Sequence, residues 1–219
     1  SVITDSKNIQ ERKQAGEKNL EKAAMIAASA DVKVTPVTRY DLNVATGITH
    51  AAEEYNATNI VIGLHWKANI IDSFFGNLTE SLVKGSHKEI LIARYLIPAT
   101  SIRKMHVAVP PKAEYENGFA KWPVHLGRMA SQLACGIVFY GEPETLGYVR
   151  EIIAKSPAAG LASYVAQEQW NDFERIKGQM HSSHLAVVIC ARRGSISYDI
   201  SFERLPSQLA RNFSGNNLV

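Results

Sequence analysis

Gly63, at the end of the apolar run Asn59–Gly63, and Gly76-Asn77, just ahead of the helical run Leu78–Lys84, are the residues best placed by type and spacing to do chemistry. A strand delivers Gly63 to the edge of a sheet, where open α/β folds place their ligands. A glycine at a helix start exposes backbone N–H groups, and the helix end adds partial positive potential. The chemistry is therefore anion holding, with a phosphate as the natural ligand. Between these glycines lie His65, Trp66 and Lys67. Lys67 can neutralise a phosphate, Trp66 can stack on a base or plug the site, and Asn77 can donate to a ligand or cap the helix. The residues alone leave a second reading open: a tight turn with a solvated lysine and a tryptophan packed over the sheet edge.

Catalysis has less support. Asp72 and Glu80 stand without a partner carboxylate or base at a useful spacing, so general acid/base chemistry has no pair to work with. His65 lacks a second ligand at metal spacing, and His181 and His184 flank Ser182-Ser183 with no other ligand near them. No nucleophile elbow, phosphate-binding Walker loop or zinc set occurs. The chain reads as a non-enzyme. In the second half the corresponding loop is Ala191-Arg192-Arg193-Gly194-Ser195, whose basic pair suits either an anion or solvent. Residues 196–204 alternate, with Ile196, Tyr198, Ile200 and Phe202 on one side, as in a lid or edge segment.

The elements that position these residues follow from periodicity. Ser6–Ala30 predicts one helix, capped by Asp5 or Ser6, with a narrow face of Ile9, Gly16, Leu20, Ala23, Ala24 and Ala27. Val32–Val37 alternates and predicts a strand. Asn43 predicts the cap of a helix reaching Tyr55, with Val44, Ile48, Ala51, Ala52 and Tyr55 inward. Asn59–Gly63 and Glu89–Ala93 predict buried parallel strands around the helix Leu78–Lys84. After Tyr95–Ser101 the pattern restarts: strand Met105–Val109, helix Phe119–Leu133 (starting near Trp122 because of Pro123), strand Gly136–Tyr140 and helix Glu144–Lys155. Strand Leu161–Ala166, helix Trp170–Met180, strand Leu185–Ala191, helix Leu205–Arg211 and a strand from Asn217 complete it.

Alternating helices and strands argue an α/β architecture of βαβ units in two tandem domains, 1–97 and 98–219. The 219 residues suit two domains of ordinary size, and 46% apolar content supports their cores. A net charge of +3 without a long block of like charge gives no sign of a nucleic-acid face, and no nucleic-acid partner is expected. Cys135 and Cys190 both read as buried small hydrophobes. No apolar stretch is long enough to span a membrane, and no signal peptide opens the chain.

This arrangement resembles the universal stress protein family, which implies a doubly wound, Rossmann-like three-layer fold. Its nucleotide-binding members carry a glycine pattern after the fourth strand. Gly63 and Gly76 match the first and third glycines of that pattern; Trp66 stands at the second, and Asn77 replaces the following Ser or Thr. The resemblance implies a ligand site of Gly63, His65, Lys67, Gly76 and Asn77, with ATP or another adenine nucleotide bound weakly or not at all. It also implies that the first domain lacks its first strand and helix. In the second domain Pro110, Cys190, Arg193 and Glu203 fall on the family's ligand positions, so that copy is degenerate.

The strings Leu20–Ala24, Val34–Arg39, Ile62–His65, Lys67 and Phe74–Gly76 are similar to the cytosolic tail of bacterial sodium/proton antiporters of the Bacteroides type. That resemblance implies a regulatory or sensory domain of a cation/proton antiporter, at the cytoplasmic face of the inner membrane. Its partners would be the membrane-embedded antiporter domain of the same polypeptide and a second copy in a homodimer. The alternative is a freestanding tandem stress protein that binds ATP.

Overall fold

A computed structural model describes residues 2–3, 9–63 and 77–219. It is an α/β parallel-sheet fold with three sheets among the described residues. β1 (Val2–Ile3) pairs in parallel with β2 (Arg39–Tyr40), and β3 (Asn59–Gly63) pairs with β4 (Glu89–Ala93). The third sheet has five parallel strands in the order β7 (Ala162–Ala166), β6 (Gly136–Gly141), β5 (Lys104–Ala108), β8 (His184–Val188) and β9 (Asn217–Leu218). By contact density the described residues group into two compact units. Residues up to Ile60 together with 77–90 make one, and residues 61–63 with 91–219 make the other.

In the first unit, α1 (Ile9–Ser29) turns its narrow small-residue face inward: Gly16 is buried, while Leu20, Ala24 and Ala27 are half-buried. Ala23, expected on that face, is exposed, and the expected cap at Asp5 or Ser6 lies outside the described residues. α2 (Val44–Glu54) starts where Asn43 Oδ1 accepts from the Thr46 N–H at 2.9 Å, satisfying one of the free amides of the first turn. The helix ends at Asn56, whose positive φ reverses the chain so that Ala57 N–H returns to Ala52 O at 2.8 Å. Ala45, Gly47 and Ala52 form its buried face, whereas Val44 and Tyr55, expected inward, are exposed. A Cβ on Gly47 would sit 2.6 Å from the Val2 side chain, so glycine lets α2 lie directly on β1.

Three expectations in this half need correction. Val32–Val37 is not a strand: Val32 and Val34 are exposed, and the only strand there, Arg39–Tyr40, matches the two-residue partner that β1 offers. Alternation alone does not supply the neighbour that a strand needs for its N–H and C=O groups. β3 stands where expected, but of its residues only Ile60 is buried and Val61 is 68% exposed, so it is not covered on both faces. α3 (Asn77–Gly85) buries Thr79 and Leu82 and begins at Asn77 itself.

The second unit is a complete doubly wound sheet. β5 (Lys104–Ala108) is central, in register with β6 (Gly136–Gly141) on one side and β8 (His184–Val188) on the other. β7 (Ala162–Ala166) flanks β6, and β9 (Asn217–Leu218) flanks β8. Strand alternation sorts the two faces. Met105, Val107, Ile137, Phe139, Leu185 and Val187 pack under α4 (Trp122–Gln132) and α5 (Pro143–Ile153). Ala108, Val138, Tyr140 and Ala186 pack under α6 (Phe173–Lys177) and α7 (Leu205–Phe213). Burying each of the larger side chains contributes about 1.5–3 kcal/mol. α4 starts at Trp122, as Pro123 in its first turn requires.

Gly141, at the end of β6, is needed for close approach, because a Cβ there would meet the Val109 carbonyl oxygen at 2.9 Å. The predicted helix Trp170–Met180 shrinks to the five residues of α6, capped by the Asp172 carboxylate on the Arg175 N–H at 3.1 Å. Trp170 instead plugs the core, packed edge-on against Phe173 and Phe202. Residues 200–204 form a short 3-10 helix rather than an edge segment, with Ile196 and Ile200 exposed while Phe202 is buried. Cys135 is buried as expected, but Cys190 is exposed.

Candidate functional site

Gly63 is the last residue of β3 and Asn77 the first of α3. Among the described residues, a Cβ added at Gly63 would meet nothing within 4 Å. Gly63 does not have a positive φ, so its freedom is steric openness rather than backbone conformation. His65, Lys67 and Gly76 lie outside the described residues, as do Trp66 and Asp72. Glu80, in the first turn of α3, is engaged by Lys84 one turn later at 2.6 Å. That hydrogen bond, with the ammonium charge behind it, holds the Glu80 carboxyl below its ordinary pKa, so it is ionised and occupied rather than poised as an acid.

In the five-stranded sheet the strand order reverses beside β5, which puts the ligand crevice of such folds at the carboxyl ends of β5 and β8. Here the loop after β5 crosses that edge and is pinned on both sides. Glu114 accepts from the buried Thr145 hydroxyl at 2.8 Å, and the same hydroxyl oxygen accepts the Lys112 N–H at 3.2 Å. Glu116 Oε1 accepts both the N–H and the Oγ–H of Ser197, each at 2.8 Å. A carboxylate of the loop after β5 thus holds the amide of Ser197 in the loop after β8. The basic pair is divided: Arg193 is exposed and ion-paired with Glu203, while Arg192 is half-buried.

Sequence reasoning missed a polar cluster on the α6/α7 face of the same sheet. His106 is 1% exposed and His184 8%. His106 Nδ1 lies 2.9 Å from the Tyr140 hydroxyl, and His106 Nε2 lies 3.0 Å from His184 Nδ1. The imidazoles stack at 5.0 Å between centroids, and His181 meets His184 edge-on at the same spacing. Burial and the neighbouring cationic groups push the His106 pKa down to about 4 and lower that of His184. The signal was available in principle. His106 and His184 are 78 positions apart, but parallel pairing sets Lys104 opposite His184 and so brings His106 onto its diagonal. Among the described residues no group of three His, Cys, Asp or Glu side chains is arranged to hold a metal.

The comparisons with known proteins bear on the N-terminal part first. Residues 2–94 match the model of the Universal stress protein family. This stretch is a universal-stress-protein-like domain. The universal stress protein family is regulatory and ATP-binding rather than catalytic. Two solved structures extend the fold likeness over 99% of this chain. One is a universal stress protein from Archaeoglobus fulgidus DSM 4304, at TM-score 0.61 and 14% identity, with 79% of that chain covered. The other is a functionally unknown protein from Pseudomonas aeruginosa PAO1, at TM-score 0.60 and 10% identity, again with 79% of its length covered. At these identities the likeness is one of fold. No curated protein sequence matches the chain.

Proposed function

We propose that this chain is a non-catalytic regulatory module of the universal stress protein type that takes an adenine nucleotide weakly through its first domain. The observation that carries the reading is the open end of β3 at Gly63, followed by α3 from Asn77, inside the stretch that matches the family. Backbone N–H groups at such a helix start favour a phosphate. The ligand set of this reading is Gly63, His65, Lys67, Gly76 and Asn77. Trp66 and Asn77 depart from the family's pattern and argue for low affinity.

The reading divides the chain into two tandem domains, 1–97 and 98–219, with the second degenerate as a nucleotide site. Its support in the second is the hold of Glu116 on Ser197. Calorimetric titration with ATP, ADP and AMP tests the proposal, with an expected Kd between about 1 µM and 1 mM. Absence of heat at millimolar ATP would sink it.

A second reading, a cytosolic regulatory tail of a cation/proton antiporter, rests on the local strings from Leu20 to Gly76. Among the described residues no helix is long and apolar enough to cross a membrane, so transport itself would require another segment. Co-purification of the chain with an antiporter membrane domain, and a change in that exchanger's activity on adding the chain, would favour this reading over the first. Homodimer formation is part of both and is read by light scattering.

A further inference from the structure

The hydrogen-bond directions in the histidine cluster are fixed by its neighbours. The His181 backbone N–H points at His184 Nδ1 from 3.3 Å, so that nitrogen is an acceptor and carries no proton. His106 Nε2, 3.0 Å from the same atom, must then be the donor. His106 Nδ1 is in turn the acceptor for the Tyr140 O–H. The result is a one-way relay from Tyr140 through His106 to His184, and it requires both imidazoles to be neutral.

His184 Nδ1 also anchors a loop that other parts of the chain depend on. His181 O accepts from Asn216 Nδ2 at 3.2 Å, while Ser182 O and His184 O accept from Asn217 Nδ2 at 3.3 and 3.1 Å. Asn217, which is fully buried, uses its Oδ1 to accept the N–H groups of Leu96 and Ile97 at 2.8 and 3.2 Å. Arg94 completes the join through paired backbone bonds with Leu218.

We propose that the His106–His184 hydrogen bond is a proton-operated latch that seats segment 94–97 and strand β9 at neutral pH and releases them on acidification. A proton on His184 Nδ1 would turn an acceptor into a donor facing two N–H groups, ejecting the ring from its place and freeing the 181–184 loop. One backbone hydrogen bond, with Gln179, favours a His184 cation, and the surrounding charges oppose it. Lys104 on β5, His181 on the loop and Arg175 on α6 add positive charge, and Tyr140 on β6 is already committed. Of the remaining charged groups on the covering elements, Glu174 and Lys177 lie on α6, Glu203 and Arg204 on the 200–204 turn, and Arg211 on α7. Glu174 is held by Arg211 and Glu203 by Arg193. Among the described residues neither imidazole is hydrogen-bonded to a carboxylate.

Amide hydrogen exchange resolved by NMR on the 219-residue chain, corrected for intrinsic rates, tests the latch between about pH 7.5 and about pH 5. Protection at Leu96, Ile97 and Leu218 should fall about tenfold per pH unit for each proton taken up, while Val107 in the central strand stays protected. His184→Asn places an amide oxygen near the Nδ1 position that accepts but cannot titrate, and its protection at the same amides should be flat over this range. Three results overturn the proposal: flat protection in the native protein, an equal fall in His184→Asn, or a fall at Val107 in step with the others. Should His184→Asn not fold, nitrogen-15 spectra of the native imidazoles decide, because an Nδ1–H tautomer on His184 at neutral pH contradicts the relay.

Discussion

Arg94 and Leu218 exchange both of their backbone hydrogen bonds, at 2.7 and 2.9 Å, and so close the outer edge of β9 from within the same chain. The guanidinium of Arg94 then donates to the carbonyls of Phe213 and Asn216, at 2.6 and 2.9 Å, where α7 ends. Carbonyls at a helix C-terminus lack intrahelical partners and carry partial negative charge, so a cation there is well placed. Arg94→Ala should lower stability by about 1–3 kcal/mol, through the lost charge-assisted bonds. Urea unfolding monitored by tryptophan fluorescence reads this as a lower midpoint; an unchanged midpoint would show that water replaces the guanidinium at no cost.

Asn217→Ala should be the more damaging change. The amide serves two N–H donors and two carbonyl acceptors from a fully buried position, and alanine leaves all four groups without it. The cost is about 2–4 kcal/mol, near the upper end for a single polar deletion. Asn217→Asp discriminates the cause: it keeps the acceptor for Leu96 and Ile97 but turns an oxygen toward the Ser182 and His184 carbonyls. It should be no better than alanine. A near-native Asp variant would mean that the two donor bonds contribute little.

Much of the second unit was legible in the sequence because local pattern and tertiary environment agree there. Met105–Val109, Gly136–Tyr140 and Leu185–Ala191 are short apolar runs, and each became a parallel strand; the first two keep their expected bounds to within one residue, while the third ends three residues early, at Val188. Pro123 marked the start of α4. The misreadings have a common cause. Val32–Val37 has the right alternation but no strand to pair with, and Trp170–Met180 has helical spacing interrupted because Trp170 is drawn into the core. Of the candidate site, Gly63 and Asn77 fall at the strand end and helix start anticipated from their types. The histidine relay was not legible, since its members meet only through strand register. A sequence scan for ligand spacing cannot see a partner 78 positions away.

Stability should fall on acidification because of His106. His106 has an ordinary pKa of 6.5 and a folded value of about 4, so the unfolded chain takes up its proton first. The linkage sign follows: stability is fully present above pH 6.5 and is lost as pH falls toward 4. Over that span the loss from this group is on the order of 3 kcal/mol. Tyr140→Phe removes the donor to His106 Nδ1, leaving a buried acceptor unpaired and the neutral ring less favoured. Stability near neutral pH should drop by about 1–3 kcal/mol, with a shallower pH slope below it. Equal slopes for the native protein and Tyr140→Phe would mean that the hydroxyl does not hold the neutral form.

The loop after β5 should open when Glu116 is removed. Glu116→Ala takes away the acceptor for the Ser197 N–H and hydroxyl, while the second anchor, Glu114 on Thr145, remains. The expected loss is about 1–2 kcal/mol, and limited proteolysis should newly nick the chain between residues 110 and 121. Thr145→Val removes the other anchor and, for a buried hydroxyl that serves two partners, should cost at least as much. Resistance of the Glu116→Ala loop to proteolysis would show that apolar burial of Ala113 and Phe119 holds it unaided.

Gly63→Glu separates binding from folding. The residue ends β3 without a positive φ, and its Cβ would meet no described atom within 4 Å, so a side chain there should leave the fold intact. A carboxylate at the strand end would repel a phosphate directed at the start of α3. The circular dichroism spectrum and thermal midpoint should match the native protein, while ATP affinity should fall by about tenfold or more, equivalent to about 1.4 kcal/mol or above. Gly63→Lys, equal in reach and opposite in charge, should hold or raise the affinity. If both variants bind ATP as the native chain does, the nucleotide sits elsewhere, and the open end of β3 has no part in the module's ligand binding.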